Sequence, residues 1–78
     1  MQESAVNRLI MENLPLSQDR VELDVLANDV FLDAKTIGKD LDMHSVYGAI
    51  KLLHEKQDLF IFSDGTVAAT QKGLKQYG

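Results

Sequence analysis

Five residues between positions 44 and 51 could carry binding chemistry at helical spacing: His44, Ser45, Tyr47, Gly48 and Lys51. If this segment is a helix whose apolar residues face inward, four of the five lie on its outer face and Ser45 lies on one flank of that face. An imidazole, two hydroxyls and an ammonium can contact phosphates and base edges, and a glycine permits close backbone approach. The pattern therefore indicates binding. The alternative is that the five are solvated residues on a structural helix.

No comparable pattern indicates catalysis or metal binding. His44 and His54 are ten residues apart, so a single helix cannot direct both at one ion. The glycines do not form a phosphate-binding loop, and no third group converges on the acidic residues Glu22 and Asp24. A chain of 78 residues also has a thin core with little room for a deep pocket. We therefore expect no enzymatic activity, no metal site and no cofactor.

Composition and charge are those of an ordinary globular protein. With 45% hydrophobic and 26% charged residues, the chain is expected to form one domain over residues 1–78. The net charge of −4 is unusual for a nucleic-acid binder, because neutralised phosphates supply much of the affinity. The distribution is uneven: residues 1–33 hold two arginines and seven acidic residues, whereas residues 34–78 hold six lysines and five acidic residues. This asymmetry is compatible with binding through one face.

The sequence also predicts a compartment. There is no cysteine, so a disulfide framework and a thiolate metal site are excluded. No apolar run approaches the roughly 18 to 20 residues that a membrane-spanning helix needs. The first fourteen residues lack the basic and then apolar layout of a signal peptide. These features predict a cytoplasmic protein that does not enter a membrane.

Apolar periodicity predicts an α+β chain with three to four helices and a C-terminal antiparallel hairpin. The segments with helical signals are 3–13, 18–28, 34–41, 43–56 and a short one after Thr70, which is its expected N-cap. Strands are predicted over 30–32, 59–62 and 66–69. Segment 18–28 also fits a strand, because its first apolar residues alternate with acidic ones, but the helix is favoured.

Capping residues and the turn signal support the central elements. Asp33 and Asp42 are the expected N-caps of helices 34–41 and 43–56. Ile37 is expected to face inward from the first of these helices. The buried stripe of the second is expected to be Met43, Val46, Ala49, Ile50 and Leu53. An Asp-Gly pair at 64–65 predicts the hairpin turn.

Three spaced patterns resemble the winged helix-turn-helix superfamily, although no individual family is recognised. They are Ile37-Gly38-x-x-Leu41-x-Met43, then Val46-Tyr47-x-Ala49-Ile50-Lys51-x-Leu53, then Asp64-Gly65-x-Val67-x-x-Thr70-x-x-Gly73. The likeness covers residues 34–73. It implies three helices and a sheet of two or three strands, with helix 43–56 as the recognition helix and residues 63–66 as the tip of the wing.

The resemblance implies a small protein that binds double-stranded DNA, a transcriptional regulator. Helix 43–56 would enter the major groove, Lys35 and Lys39 on the preceding helix would grip phosphates, and the hairpin with Thr66 would rest beside the groove. Neither Arg nor Lys occurs in the wing tip itself.

The alternative is an acidic winged-helix module that docks another protein and does not bind nucleic acid. The net charge, the wing tip without lysine and the apolar Leu52 off the buried stripe favour this alternative. Residues 1–28 are the expected surface for a homodimer, through Met11, Leu16 and Leu23. These three residues could instead complete the core of the monomer.

Overall fold

A computed structural model describes the backbone of residues 2–77 and the side chains of residues 5–77. The elements in chain order are α1 (Gln2–Glu12), β1 (Val21–Glu22), α2 (Leu23–Thr36), α3 (Met43–Glu55), β2 (Leu59–Ile61), β3 (Thr66–Ala69) and α4 (Gln71–Tyr77). The predicted α+β class is confirmed. A short strand between the first two helices, followed by a helix pair and a hairpin, is a winged-helix layout.

The three strands form one antiparallel sheet in the order β1-β3-β2. Val67 of β3 is paired with Val21 on one side and with Ile61 on the other. The hairpin turn lies at residues 62–65, where Gly65 adopts a φ of +87° and Phe62 N–H donates to the Thr66 carbonyl. Only glycine reaches this φ without strain, so the Asp-Gly turn signal is confirmed.

The core is built on the inner face of α3. Val46, Ile50 and Leu53 have no exposed surface, as the periodicity predicts, while Met43 and Ala49 are half-buried at the margins. Residues from the other helices and the sheet complete the core: Ile10, Met11, Leu14, Leu26, Ala27, Val30, Leu59, Val67 and Ala69. The opposite face of α3 is thereby left to solvent.

Helix α2 corrects three predictions: the helix over 18–28, the edge strand over 30–32 and the separate helix over 34–41. The segment 21–36 is a two-residue strand followed by one continuous helix, so the edge strand over 30–32 and the separate helix over 34–41 are both wrong. Leu26, Val30 and Ala34 recur every fourth residue and are all buried, and this stripe carries the helix through the apolar run. The helix continues through Asn28 and Asp29, beyond the predicted end at residue 28, with both side chains exposed on its outer side.

Residues 37–42 form the connection between α2 and α3. Gly38, at φ +80°, ends α2: its N–H donates to the Lys35 carbonyl and the Lys39 N–H donates to the Ala34 carbonyl. This is the Schellman arrangement, in which a residue in the left-handed region closes the helix. Ile37 therefore leaves the helix and is 58% exposed, contrary to the prediction that it faces inward.

Asp33 is also corrected. It lies inside α2 and not at a helix start, and its carboxylate accepts a hydrogen bond from Asn13 Nδ2 at 2.9 Å. Asp42, in contrast, is the N-cap of α3 as predicted.

Helix α4 packs against the turn between α3 and β2. Thr70 is its N-cap as predicted, because its hydroxyl accepts from the Gly73 N–H at 3.0 Å. A Cβ placed on Gly73 would lie 1.8 Å from the carbonyl oxygen of Asp58. Gly73 is therefore required for this close approach of helix and backbone.

Candidate nucleic-acid interface

The N-terminus of α3 is held by Asp42. Its Oδ1 accepts a hydrogen bond from the Ser45 N–H at 2.7 Å, and this bond lowers the pKa of the Asp42 carboxyl below its ordinary value. The cap starts the helix at Met43 and leaves His44 and Ser45 exposed in its first turn. Residues in this position of a recognition helix reach base edges.

Gly48 and Lys51 follow on the same exposed face. Their positions, one and two turns after the helix start, match the sequence prediction. No atom beyond the helix backbone lies within 4 Å of a Cβ built on Gly48, so the middle of the face is open. Glu55 is exposed at the C-terminal end of the face, where it would repel a phosphate.

Tyr47 is held differently from the other four residues. Its ring is half-buried and packs against the core, and its hydroxyl donates to Asp24 Oδ1 at 2.7 Å. This hydrogen bond, together with partial burial and the carboxylate's charge, raises the pKa of the phenol. The hydroxyl that the sequence offers to a phosphate is thus engaged by an acidic residue of α2.

The two lysines expected on one preceding helix lie on different elements. Lys35 is in the last turn of α2, with Nζ 5.0 Å from the centroid of the Phe31 ring. Lys39 lies beyond the end of α2, in the connection 37–42. Both lysines are exposed.

The wing turn is stabilised from within. Thr66, the first residue of β3, donates its N–H and its hydroxyl to Asp64 Oδ1, at 3.1 and 2.6 Å. These two hydrogen bonds lower the pKa of the Asp64 carboxyl, and the nearby Arg20 adds to the effect. The Thr66 hydroxyl is therefore a turn contact, and Asp64 places a carboxylate at the tip.

Arg20 is a residue of the wing that sequence reasoning missed. Its Cζ lies 3.7 Å from the centroid of the Phe62 ring, and its Nη1 lies 3.5 Å from Asp64 Oδ2. It reaches the wing because it directly precedes β1, which pairs with β3. The alternation that begins at Val21 is the signal that could have placed it there. The wing thus carries one cationic side chain, although its tip residues do not.

His54 does not belong to the exposed face. Its Nδ1 accepts a hydrogen bond from the Ile61 N–H at 3.1 Å, and its ring lies 5.1 Å from the Phe60 ring in an edge-to-face arrangement. The imidazole therefore covers part of β2 at the edge of the sheet. Among the side chains that the structure describes, no three His, Cys, Asp or Glu residues are grouped to hold a metal ion.

A groove of about 780 Å³ runs along one flank of α3, between this helix, α1 and the connection 37–42. We call it the α1–α3 groove. Its apolar lining is Val6, Leu41, Ala49 and Leu52, and lysines 39 and 56 also line it. Leu52 is 50% exposed there, so it is not part of a widened core stripe.

The expected association surface in residues 1–28 is smaller than the sequence suggests. Met11 is 4% exposed in the core and Leu23 is half-buried against it, whereas Leu16 is 78% exposed. Met11 and Leu23 therefore belong to the core of the monomer. The homodimer stays a prediction.

Comparison of the chain with protein-family models, curated proteins and solved structures found no match. Between residues 2 and 77, no helix is both long enough and apolar enough to cross a bilayer.

Proposed function

We propose that the protein binds double-stranded DNA with α3 in the major groove and acts as a transcriptional regulator. The observation that supports the proposal is the placement of α3 within a winged-helix order of elements. One face of this helix is fully buried, and the opposite face presents His44, Ser45, Gly48 and Lys51 to solvent.

Each group has a distinct role in this proposal. His44 and Ser45 meet base edges, Gly48 lets the helix axis approach the groove, and Lys51 contacts guanine or a phosphate as a point charge. Lys35, in the last turn of α2, and Lys39, in the connection 37–42, contact the phosphate backbone. Tyr47 and Thr66 position the helix and the wing turn, because their hydroxyls already have acidic partners.

A salt titration of binding to a mixed-sequence duplex tests the proposal. We expect measurable affinity at about 50 mM salt, falling steeply toward 200 mM as counterions are released. The double substitution Lys39→Glu and Lys51→Glu should weaken binding and make the logarithmic salt slope shallower by about 0.9 per lost phosphate contact. The double substitution Lys72→Glu and Lys75→Glu, an equal charge change at exposed positions of α4, is the control. No binding at 50 mM salt would end the proposal.

A second candidate function is protein interaction without nucleic-acid binding. The specific observation that favours it is that Asp24 and Asp64 stand at the two places where DNA phosphates would approach, beside Tyr47 and at the wing tip. The α1–α3 groove, with the half-exposed Leu52, offers a surface for a protein partner. If the wild-type chain does not bind duplex DNA and the variant K51E captures the same protein partners as wild type, this candidate replaces the first.

A further inference from the structure

The α1–α3 groove has the length of a short helix. On its α3 side the lining runs from Ser45 to Lys56, which spans about 16 Å at the rise of an α-helix, or three turns. Its other walls are Val6 and Asn7 of α1 and the connection 37–42. A groove between two elements of this kind accepts a third helix by ordinary side-chain packing.

The floor of the groove is apolar and open. Leu41 and Ala49 are half-buried, and Leu52 is half-exposed at the flank. Gly48 contributes no side chain to the rim, and a Cβ built there meets nothing within 4 Å. Apolar anchors spaced three and four residues apart on an incoming helix would cover these residues, which is the helix-in-groove mode of recognition.

The charged residues of the groove indicate the sign of the charge that a bound partner carries. Lys39 precedes α3 in the chain and Lys56 is its C-cap residue, so the two lysines of the lining lie toward opposite ends of α3. Among the side chains of residues 5–77, Asp40 is the acidic one that also lines the groove. This local surplus of positive charge lies in a chain whose net charge is −4. Complementarity therefore favours a partner that is apolar in the middle and acidic at its ends.

We propose that the α1–α3 groove docks an acidic amphipathic helix of about three turns from a partner protein. Its apolar face covers Leu41, Ala49 and Leu52, and its carboxylates pair with Lys39 and Lys56. The inference rests on the second candidate function, to which it gives a site and a partner chemistry. It does not require that α3 read DNA.

Selection from a displayed library of helical peptides about 12 to 18 residues long tests the proposal. The full chain is the bait, and counter-selection uses the Leu52→Asp variant. We expect the recovered peptides to carry apolar residues at helical spacing and Asp or Glu toward both ends. Synthetic copies of these peptides should perturb the amide signals of Gly48, Ala49 and Leu52 in NMR spectra.

Matched variants separate the groove from the rest of the surface. Leu52→Asp and the pair Lys39→Glu, Lys56→Glu should each weaken peptide binding about tenfold or more. Leu32→Asp is the control for Leu52→Asp. The two leucines are equally exposed, at 51% and 50%, but Leu32 lies on α2 and Leu52 lies in the groove. Lys51→Glu, on the exposed face of α3 outside the groove lining, is the control for the charge pair and should leave peptide binding unchanged.

Four results would overturn the proposal. The recovered peptides could lack acidic residues, or they could bind L52D as well as L32D. A third contrary result is that none of the helical peptides binds with a Kd below about 1 mM. Finally, the chain could self-associate in a manner abolished by L52D and not by L32D, which would make a second copy the occupant. Loss of duplex binding alone bears only on the DNA proposal.

Discussion

The Tyr47 hydroxyl donates a hydrogen bond to Asp24 Oδ1 at 2.7 Å, which ties the N-terminal half of α3 to the first turn of α2. The contact joins α2 and α3 at the margin of the exposed face. It also keeps a carboxylate beside that face, where it would oppose a phosphate. Helix orientation and electrostatics are thus linked through one side-chain pair.

Asp24→Asn should raise affinity for duplex DNA. The amide still accepts the hydrogen bond from Tyr47, so the helix pair keeps its geometry while one negative charge leaves the face. Fluorescence anisotropy at about 50 mM salt, where electrostatics are strongest, measures the gain. Asp29→Asn is the control, because helical geometry places Asp29 on the opposite flank of α2. Equal gains for both variants would mean that only net charge matters.

The local elements of the fold could be predicted because their signals are local. The stripe Val46, Ile50 and Leu53, the caps Asp42 and Thr70 and the turn at Gly65 each depend on residues within about two helical turns. Short-range periodicity and capping chemistry are sufficient there. Helix α3 was accordingly predicted to within one residue of its observed end.

The segment before α3 could not be divided correctly into helix and strand, because its apolar residues fit both a strand-like and a helical repeat. Residues 21–25 alternate like a strand, and Leu26, Val30 and Ala34 repeat like a helix. The structure uses both, with two residues of strand and then fourteen of helix. The strand exists because Val21 and Glu22 pair with β3, some 45 residues later, which local reasoning does not detect.

The candidate site was predictable only in part, because some of its features follow from local periodicity and others from long-range contacts. The exposed positions of α3 follow from its buried stripe. The partners of Tyr47 and the location of Arg20 instead depend on contacts with Asp24 and Phe62, far away in the sequence. Such contacts decide which polar groups are free to bind, and they become visible only when the elements are packed.

Asp42→Asn should make stability less sensitive to acid. The pKa of Asp42 is lowered in the folded chain, so its stabilisation is complete above about pH 4 and is lost as the pH falls through the lowered folded value. Asparagine still caps the helix but does not titrate. Urea unfolding between pH 7 and pH 2 should show a shallower loss for D42N than for wild type. Asp40→Asn, two residues earlier and outside the cap, should keep the wild-type slope; a flattened slope in both would contradict the assignment.

Gln57→Gly should stabilise the protein. Gln57 adopts a φ of +69° where α3 ends, with its N–H bonded to the His54 carbonyl and the Asp58 N–H bonded to the Leu53 carbonyl. A residue with a Cβ pays about 1 kcal/mol in this left-handed conformation, and glycine does not. For a domain of this size the gain raises Tm by about 4–8 °C. Gly38→Ala, at the equivalent position after α2, should lower Tm by a similar amount, and a fall in Tm for Q57G would contradict the argument.

The same substitution should have opposite effects at two glycines in helices. Gly73→Ala places a Cβ 1.8 Å from the Asp58 carbonyl oxygen and 2.8 Å from Met11 Cε, so α4 must move away from the turn that it covers. Because backbone atoms cannot yield as a side chain does, we expect a loss of about 3 kcal/mol or more. Gly48→Ala meets nothing within 4 Å and should stabilise α3 by about 0.5–1 kcal/mol. Thermal unfolding followed by circular dichroism distinguishes the two, and a G73A chain as stable as wild type would show that α4 does not pack at this distance.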